Sequence, residues 1–311
     1  MTRVATGGFA VIACMLALAA PGRGVVVRPV ESWQEPVVLE EPSGLSHVGT
    51  IGGLSGVYLG HGWVLTAAHV IKSESPILVL SDVAYPAVPE SLARLESEPG
   101  VVADLQLFRL EAPPDLPPLR IARRPARRDE LVTMVGNGWQ PRDGLVHWGP
   151  DWREADPARA VYAGFAQASP RRLRWGRNVV TWTERRVTIG QSMTRSFQVR
   201  FDATGGPRLE ATSVSGDSGG AAFVERGGRT ELLGILFARS VHEGQPGGIA
   251  AYGNVSEIAD LSFYRDQIRG ITRGEEGIDP GVVAAAGMVT ALALLGLVVF
   301  WRRRRSAATD P

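Results

Sequence analysis

The stretch Ser215-Gly216-Asp217-Ser218-Gly219-Gly220, read with Trp63-Val64-Leu65-Thr66-Ala67-Ala68-His69-Val70 far upstream of it, decides how this chain is understood. A third stretch, Ala103-Asp104-Leu105-Gln106-Leu107, lies between the two. A serine hydroxyl is a poor nucleophile at its own pKa. Acyl transfer therefore needs a base to take its proton and a carboxylate to orient that base and stabilise its imidazolium. Ser218, His69 and Asp104 supply those three types. The glycines around Ser218 add a second element, because residues without side-chain bulk let the backbone turn N–H groups toward the point where an oxyanion forms. Singly, each motif has a plainer explanation: a tight glycine loop, or a histidine packed at a strand end. Their co-occurrence carries the reading. The other histidines, His47, His61, His147 and His242, are read as packed or surface side chains.

Outward from the motifs, apolar stretches are short and separated by Gly, Pro, Asp and Asn: 56–59, 63–65, 77–80, 105–110, 131–135, 196–201 and 232–237. Strand-length runs between turn residues predict an all-β fold, sandwich or barrel. One late helix is predicted over 256–269, with Ser256 as N-cap and Gly270 as its end. The whole chain holds 33 basic and 32 acidic residues in 311, which excludes a strongly basic protein coating nucleic acid. At 44% apolar residues it can bury a core. Cys14 is the single cysteine, so no intramolecular disulfide forms, cysteine-ligated metal is excluded, and no cofactor motif is read.

Both ends read as targeting segments. Residues 1–20 open with Arg3 and continue apolar to Ala20, with Ala17-Leu18-Ala19 as a small-x-small cleavage pattern. This is a secretory signal, with an uncleaved anchor or a lipoprotein box at Cys14 as alternatives. Residues 281–301 form an uncharged 21-residue run followed by Arg302 to Arg305. That is long enough for a transmembrane helix, and the arginines of the 302–311 tail place it in the cytoplasm and residues 21–280 outside. A sorting tail reads the same way. Residues 273–280, rich in Gly and Glu, form the linker. An exported domain without disulfides points to a bacterial protein.

With these residues quoted, the chain resembles the trypsin/chymotrypsin-type serine proteases: Thr66-Ala67-Ala68-His69 and Gly216-Asp217-Ser218-Gly219-Gly220 are intact and in that family's His, Asp, Ser order. The resemblance implies a domain over about 46–272, following an N-terminal segment 21–45, built as two antiparallel six-stranded β-barrels with a closing C-terminal helix. It places His69 and Asp104 on the first barrel, Ser218 on the second, and the Gly216 and Ser218 amides as oxyanion hole. Asp104 is preferred to Asp82 and Asp115 because it opens the apolar run Leu105 to Leu110 that the family pattern requires.

There are also departures. The family's maturation cut, before an Ile-Val-Gly-Gly type sequence, has only a loose echo in Val48-Gly49-Thr50-Ile51-Gly52-Gly53. Asp217 then lacks the new amino group as partner, and an Arg side chain or backbone donors are expected to satisfy it. Thr212 stands where trypsin-like enzymes hold a pocket aspartate, and Ala250 where a pocket glycine lies. On the pocket-wall strand 234–239, Phe237 replaces a serine and Arg239 a glycine. Arg239 has three open readings: narrowing the pocket, favouring acidic side chains, or pointing to solvent. An insertion is expected at about 138–190, which holds five of the eight tryptophans and many arginines. It reads either as a binding surface or as Trp rings packed under Arg stems. The function expected is an exported, membrane-tethered serine endopeptidase acting on proteins or peptides and not on nucleic acid. An inactive trypsin-like domain serving as a tethered binding module is the alternative, and a simple envelope anchor a third class.

Overall fold

The computed structural model describes residues 25–28, 42–142 and 144–274. The signal expected at 1–20 and the apolar run and tail expected at 281–311 lie outside them. Among the described residues no helix is long and apolar enough to cross a membrane.

The chain is mostly β, and every apolar stretch picked out above falls on a strand, save for the last residues of two of them, Leu110 and Phe201. In the C-terminal half, strands Leu131–Gly136, Arg174–Ile189, Ser192–Arg200, Val255–Asp260, Thr230–Ser240 and Ala221–Glu225 pair in that cyclic order as a closed antiparallel barrel. The N-terminal half departs from the expected six-stranded barrel. It is a seven-stranded antiparallel sheet, ordered Val83–Pro86, Ile77–Leu80, Val48–Ile51, Leu54–Gly60, Trp63–Thr66, Val101–Arg109, Ala93–Glu98. The hairpin over Ile77–Pro86 supplies the outer edge, and the prolines 76 and 86 that bound it have no N–H to extend a ladder. Just beyond Pro86 an isolated bridge pairs Ala87 with Leu110. Val48–Ile51 and Leu54–Gly60 form one hairpin about Gly52-Gly53, so the loose echo of a maturation site is a strand and its turn.

The helix spans Leu261–Gly274, later than predicted. Ser256 is a strand residue whose hydroxyl accepts from the Ser213 amide at 2.9 Å and is therefore engaged away from any cap. Asp260 takes the capping role, its Oδ1 accepting from the Ser262 amide at 3.0 Å. The exposed Gly270 is carried inside the helix. Tyr264 anchors the helix: it is fully buried, its hydroxyl accepts from the Arg195 amide at 2.8 Å and lies 2.5 Å from Ser97 Oγ. Sheet, barrel and helix are thereby clamped together. One apolar core joins the halves, with Leu65 and Leu107 from the sheet, Phe223 and Phe237 from the barrel, and Tyr264. A second, with Met134, Val180, Phe197 and Leu233, fills the barrel.

Within 138–190, Arg174–Ile189 is a barrel strand and only the part before it is additional. There Trp139–Pro141, Val146–Trp148 and Tyr162–Arg171 form a small sheet with Ile249–Ala251. Its rings are mostly occupied: Trp148 and Trp175 are buried, Trp139 lies under Arg171 at 4.8 Å, and Trp152 stacks on Tyr162 at 4.1 Å. An arginine covers Trp139, whereas Trp148 and Trp152 pack against Tyr162, Ile249 and Ala251; Trp182 is exposed.

Candidate active site

His69 sits in a short 3-10 turn just after strand Trp63–Thr66, and Asp104 in the neighbouring strand Val101–Arg109. Those strands are paired, so the Asp104 carboxylate reaches back to the turn. Its Oδ2 lies 2.7 Å from His69 Nδ1, and its Oδ1 accepts from the His69 amide at 2.9 Å. Both oxygens thus hold one residue, which fixes the ring's position and places the Nδ1 proton toward the carboxylate. The other nitrogen, Nε2, is left as a proton acceptor. Burial acts to raise the Asp104 carboxyl, but the hydrogen bonds and charge of His69, with Arg94 nearby, outweigh it and hold the group below its ordinary range.

Ser218 comes from the barrel side, in the loop between strands Ala211–Thr212 and Ala221–Glu225. Gly216 and Gly219 both have positive φ, at 107° and 84°. A Cβ on Gly219 would collide with Ser55 O and Thr66 Oγ1, so the loop approaches the sheet as only glycine allows. The Gly216 and Ser218 amides make no backbone hydrogen bond among the described residues, whereas Asp217, Gly219 and Gly220 each donate one. Two neighbouring free amides form a donor pair suited to an oxyanion. No hydrogen bond joins Ser218 Oγ to His69 among the described residues. Such contacts are often long in an empty site and tighten around substrate.

The two sides meet across one cleft in two parts. A cavity of about 440 Å³ is walled by His69, Arg94 and Asp104 from the sheet and by Ile189, Ser192 and the stretch 237–239 from the barrel. The same stretch walls a second cavity of about 240 Å³ with Ser213, Val214, Ser215 and Ser218. Arg239 therefore lines both, half-buried, with Nη1 3.4 Å from the Ile249 carbonyl. Burial lowers its pKa, and the charge of Asp217 opposes that. Thr212 and Ala250 lie elsewhere. Thr212 is buried in a ladder with Val26, and Ala250 in one with Phe165; neither lines the cleft. Counting back six residues from Ser218 misses because Ser213 and Ser215 are what face the cavity. Among the described residues no three His, Cys, Asp or Glu side chains are grouped to hold a metal ion.

Ser55 and Thr194 carry structural weight that the motifs did not signal. Ser55 donates its amide to Ser218 O at 2.9 Å and its hydroxyl to Gly216 O at 3.0 Å, and its carbonyl accepts from Thr66 Oγ1 at 2.8 Å. Thr194, on the barrel, accepts from the Asp104 amide at 2.9 Å. Neither is set apart by composition or spacing. Only the pairing of distant strands exposes them.

Asp217 is wholly buried beneath the loop, between Gly136 and Gly138, where any Cβ would strike its carboxylate. The Val214 amide donates to Oδ2 at 2.7 Å, while Oδ1 accepts no hydrogen bond. Of the two alternatives expected, an Arg side chain or backbone donors, a backbone donor is present at one oxygen, and the charges of Arg174 and Arg239 also favour the ionised form. Burial prevails over all of these and pushes the carboxyl up to about 7.

The model of the trypsin-like peptidase domain family matches residues 54–235. No curated protein matches the sequence. Among solved structures, the chain is similar to a crystal structure of Rv3671c protease in its inactive form. That likeness has 15% identity, covers 74% of this chain and 90% of that one, and has a TM-score of 0.44. It is also similar to kallikrein-related peptidase 10 in complex with Zn2+, at 16% identity over 75% of this chain and 97% of that one, with a TM-score of 0.46.

The Asp217 environment sets a pH dependence. The unfolded chain releases this proton near pH 3.8 and the folded chain only near 7, so the carboxyl's contribution is fully present below about 4 and is lost as pH rises to about 7. The slope is about 1.4 kcal/mol per pH unit across that window. Asp217→Asn removes it. Urea unfolding from pH 4 to 8 should show the variant gaining on the parent up to pH 7 and no further; a constant difference would refute the assignment.

Proposed function

The chain belongs to the trypsin-like peptidase domain family, and from that premise we propose that it is a serine endopeptidase that cleaves peptide bonds through an acyl-enzyme on Ser218. The observation that carries this reading is the 2.7 Å bond between His69 Nδ1 and Asp104 on the sheet wall of the cleft, faced from the barrel side by the Ser218 loop, in which the Gly216 and Ser218 amides make no backbone hydrogen bond among the described residues. In the proposed reaction, His69 Nε2 takes the Ser218 proton as Oγ attacks the substrate carbonyl. The Asp104 carboxylate stabilises the imidazolium that results, and the Gly216 and Ser218 amides hold the oxyanion. The leaving amine then receives the proton from His69, and water repeats the sequence to release the acid. The same domain as an inactive binding module is the second reading, kept open by the altered pocket-wall strand, where Phe237 and Arg239 line the cavity beside Ser218.

The cavity beside Ser218 is assigned to the side chain preceding the cleaved bond. It contains no carboxylate and one guanidinium, that of Arg239. A Lys or Arg side chain would be desolvated there without an ion pair. Small uncharged and acidic side chains are the substrates this lining favours. We further propose that the protein is exported and held by residues 281–301, with the protease domain outside the membrane.

Three experiments test these proposals. Parent protein should react with a fluorophosphonate and Ser218→Ala should not, with peptide cleavage falling on the order of 10⁴–10⁶-fold and His69→Ala behaving alike. Labelling that persists in Ser218→Ala removes Ser218 from its role, and an unlabelled but folded parent favours the binding module. In a peptide library, the ratio of cleavage after Glu to cleavage after Ala should fall about tenfold in Arg239→Ala, equivalent to about 1.4 kcal/mol; a profile dominated by Lys or Arg overturns the pocket assignment. After carbonate washing of membranes the full-length protein should stay in the pellet with its domain open to external protease. Release of full-length protein refutes the anchor, and a form shortened near Pro280 supports the sorting tail.

A further inference from the structure

One cavity lies away from the cleft and shares no lining residue with either part of it. Its volume is about 530 Å³, and it sits between the C-terminal helix and the segment 118–123. Five arginines line it: Arg265, Arg269 and Arg273 from the helix, Arg120 and Arg123 from the facing segment. Among the described residues, Arg265 pairs with Asp266 at 3.4 Å, and the other four have no carboxylate within ion-pair distance.

Helix geometry explains part of this and leaves the rest. Cations in the last turns of a helix are favoured by its dipole. Spacing them four apart on one face works against that, because like charges at i and i+4 repel. The repulsion is visible at Arg269, whose guanidinium is held below its ordinary range by Arg265, Arg273 and Arg123. The dipole also offers no reason for Arg120 and Arg123 to converge on the stripe from the opposite wall. A concave site ringed by guanidinium groups, with Asp266 the one carboxylate in ion-pair distance of them among the described residues, is suited to a multivalent anion.

We propose that this cavity is a binding site for a phosphate-bearing anion. Guanidinium forks match phosphate oxygens two at a time, and one phosphate faces several forks at once. The remaining lining is apolar, with Leu119, Ile121 and Ile268 among it. That mixture accepts a phosphate carried on a short hydrocarbon or glycerol body as well as the free ion. Two sources share this chemistry, a lipid headgroup and free phosphate. The headgroup is favoured by position: only residues 275–280 separate the helix end from the apolar run 281–301, and that length of chain reaches at most roughly 20–25 Å. The lipid source rests on the anchor proposed above; the site itself does not.

The test uses full-length protein in a zwitterionic detergent, titrated calorimetrically with short-chain phosphatidylglycerol, short-chain phosphatidylcholine, inorganic phosphate, and poly-glutamate, against sodium chloride of equal ionic strength. Saturable binding of phosphatidylglycerol or of inorganic phosphate is expected, weakened at least tenfold in Arg120→Glu/Arg123→Glu. Binding of phosphatidylglycerol far tighter than inorganic phosphate supports the headgroup source, and comparable binding supports free phosphate. The site is overturned if neither probe binds above the chloride control, or if phosphatidylcholine binds as well. It is also overturned if poly-glutamate is preferred, which would point to an acidic protein partner, or if the double variant binds like the parent. Should the double variant fail to fold, Arg269→Gln, a single change on the helix wall of the cavity, carries the same expectation.

Discussion

Ser55 joins the two halves of the molecule with its amide and its hydroxyl, and ties its own sheet to the same point with its carbonyl. Its amide and hydroxyl hold the Ser218 loop at two carbonyls, its carbonyl holds Thr66, and its Oγ accepts from the Asn137 amide at 2.9 Å. Thr66 lies three residues before His69, so one wholly buried side chain sets the distance between the strand that ends in the imidazole and the loop that carries the hydroxyl. Loss of a buried hydroxyl with several partners costs about 1–3 kcal/mol for each group left unpaired. The geometric cost exceeds the energetic one, because chemistry that depends on near-attack geometry is sensitive to displacements of about 1 Å. Gly219 completes the constraint: the carbonyl and hydroxyl that Ser55 and Thr66 aim at this point leave no room for a side chain.

That dependence explains what was legible in the sequence. His69, Asp104 and Ser218 could be read because the residues around each have a local reason to be small or apolar, and because their chemistry requires those types. The apolar strands were readable for the same local reason. Strands such as Ala93–Glu98 escaped, since half their residues are charged and their buried positions, Leu95 and Ser97, carry too little apolar signal. Arg174–Ile189 escaped by its tryptophans and arginines, which looked like an insertion and in fact alternate across a barrel wall. The late helix was placed early because Ser256 has the right residue type for a cap. Its hydroxyl faces Thr212 and Ser213 instead, a contact across more than forty residues that no local rule contains. Ser55 and Thr194 belong to the same class: ordinary residues given importance by strand pairing.

Asp104 and Asp217 show how far environment separates two residues of one type. Both lie beside the cleft and both are buried, so desolvation pushes each toward the neutral form. Asp104 receives a donor on each oxygen, both from His69, and is held in its charged form. Asp217 receives the Val214 amide on one oxygen, while the other faces the narrow gap left by Gly136 and Gly138. The charges of Arg174 and Arg239 oppose the effect of burial and do not outweigh it. A motif quotes both aspartates alike; only the count of donors at each oxygen distinguishes the group that stabilises a cation from the group that keeps its proton to about pH 7. Since Asp217 precedes the nucleophile and its charge acts on Arg239 in the adjoining cavity, the protonation of this one buried carboxyl links the stability of the loop to the field that an incoming side chain meets.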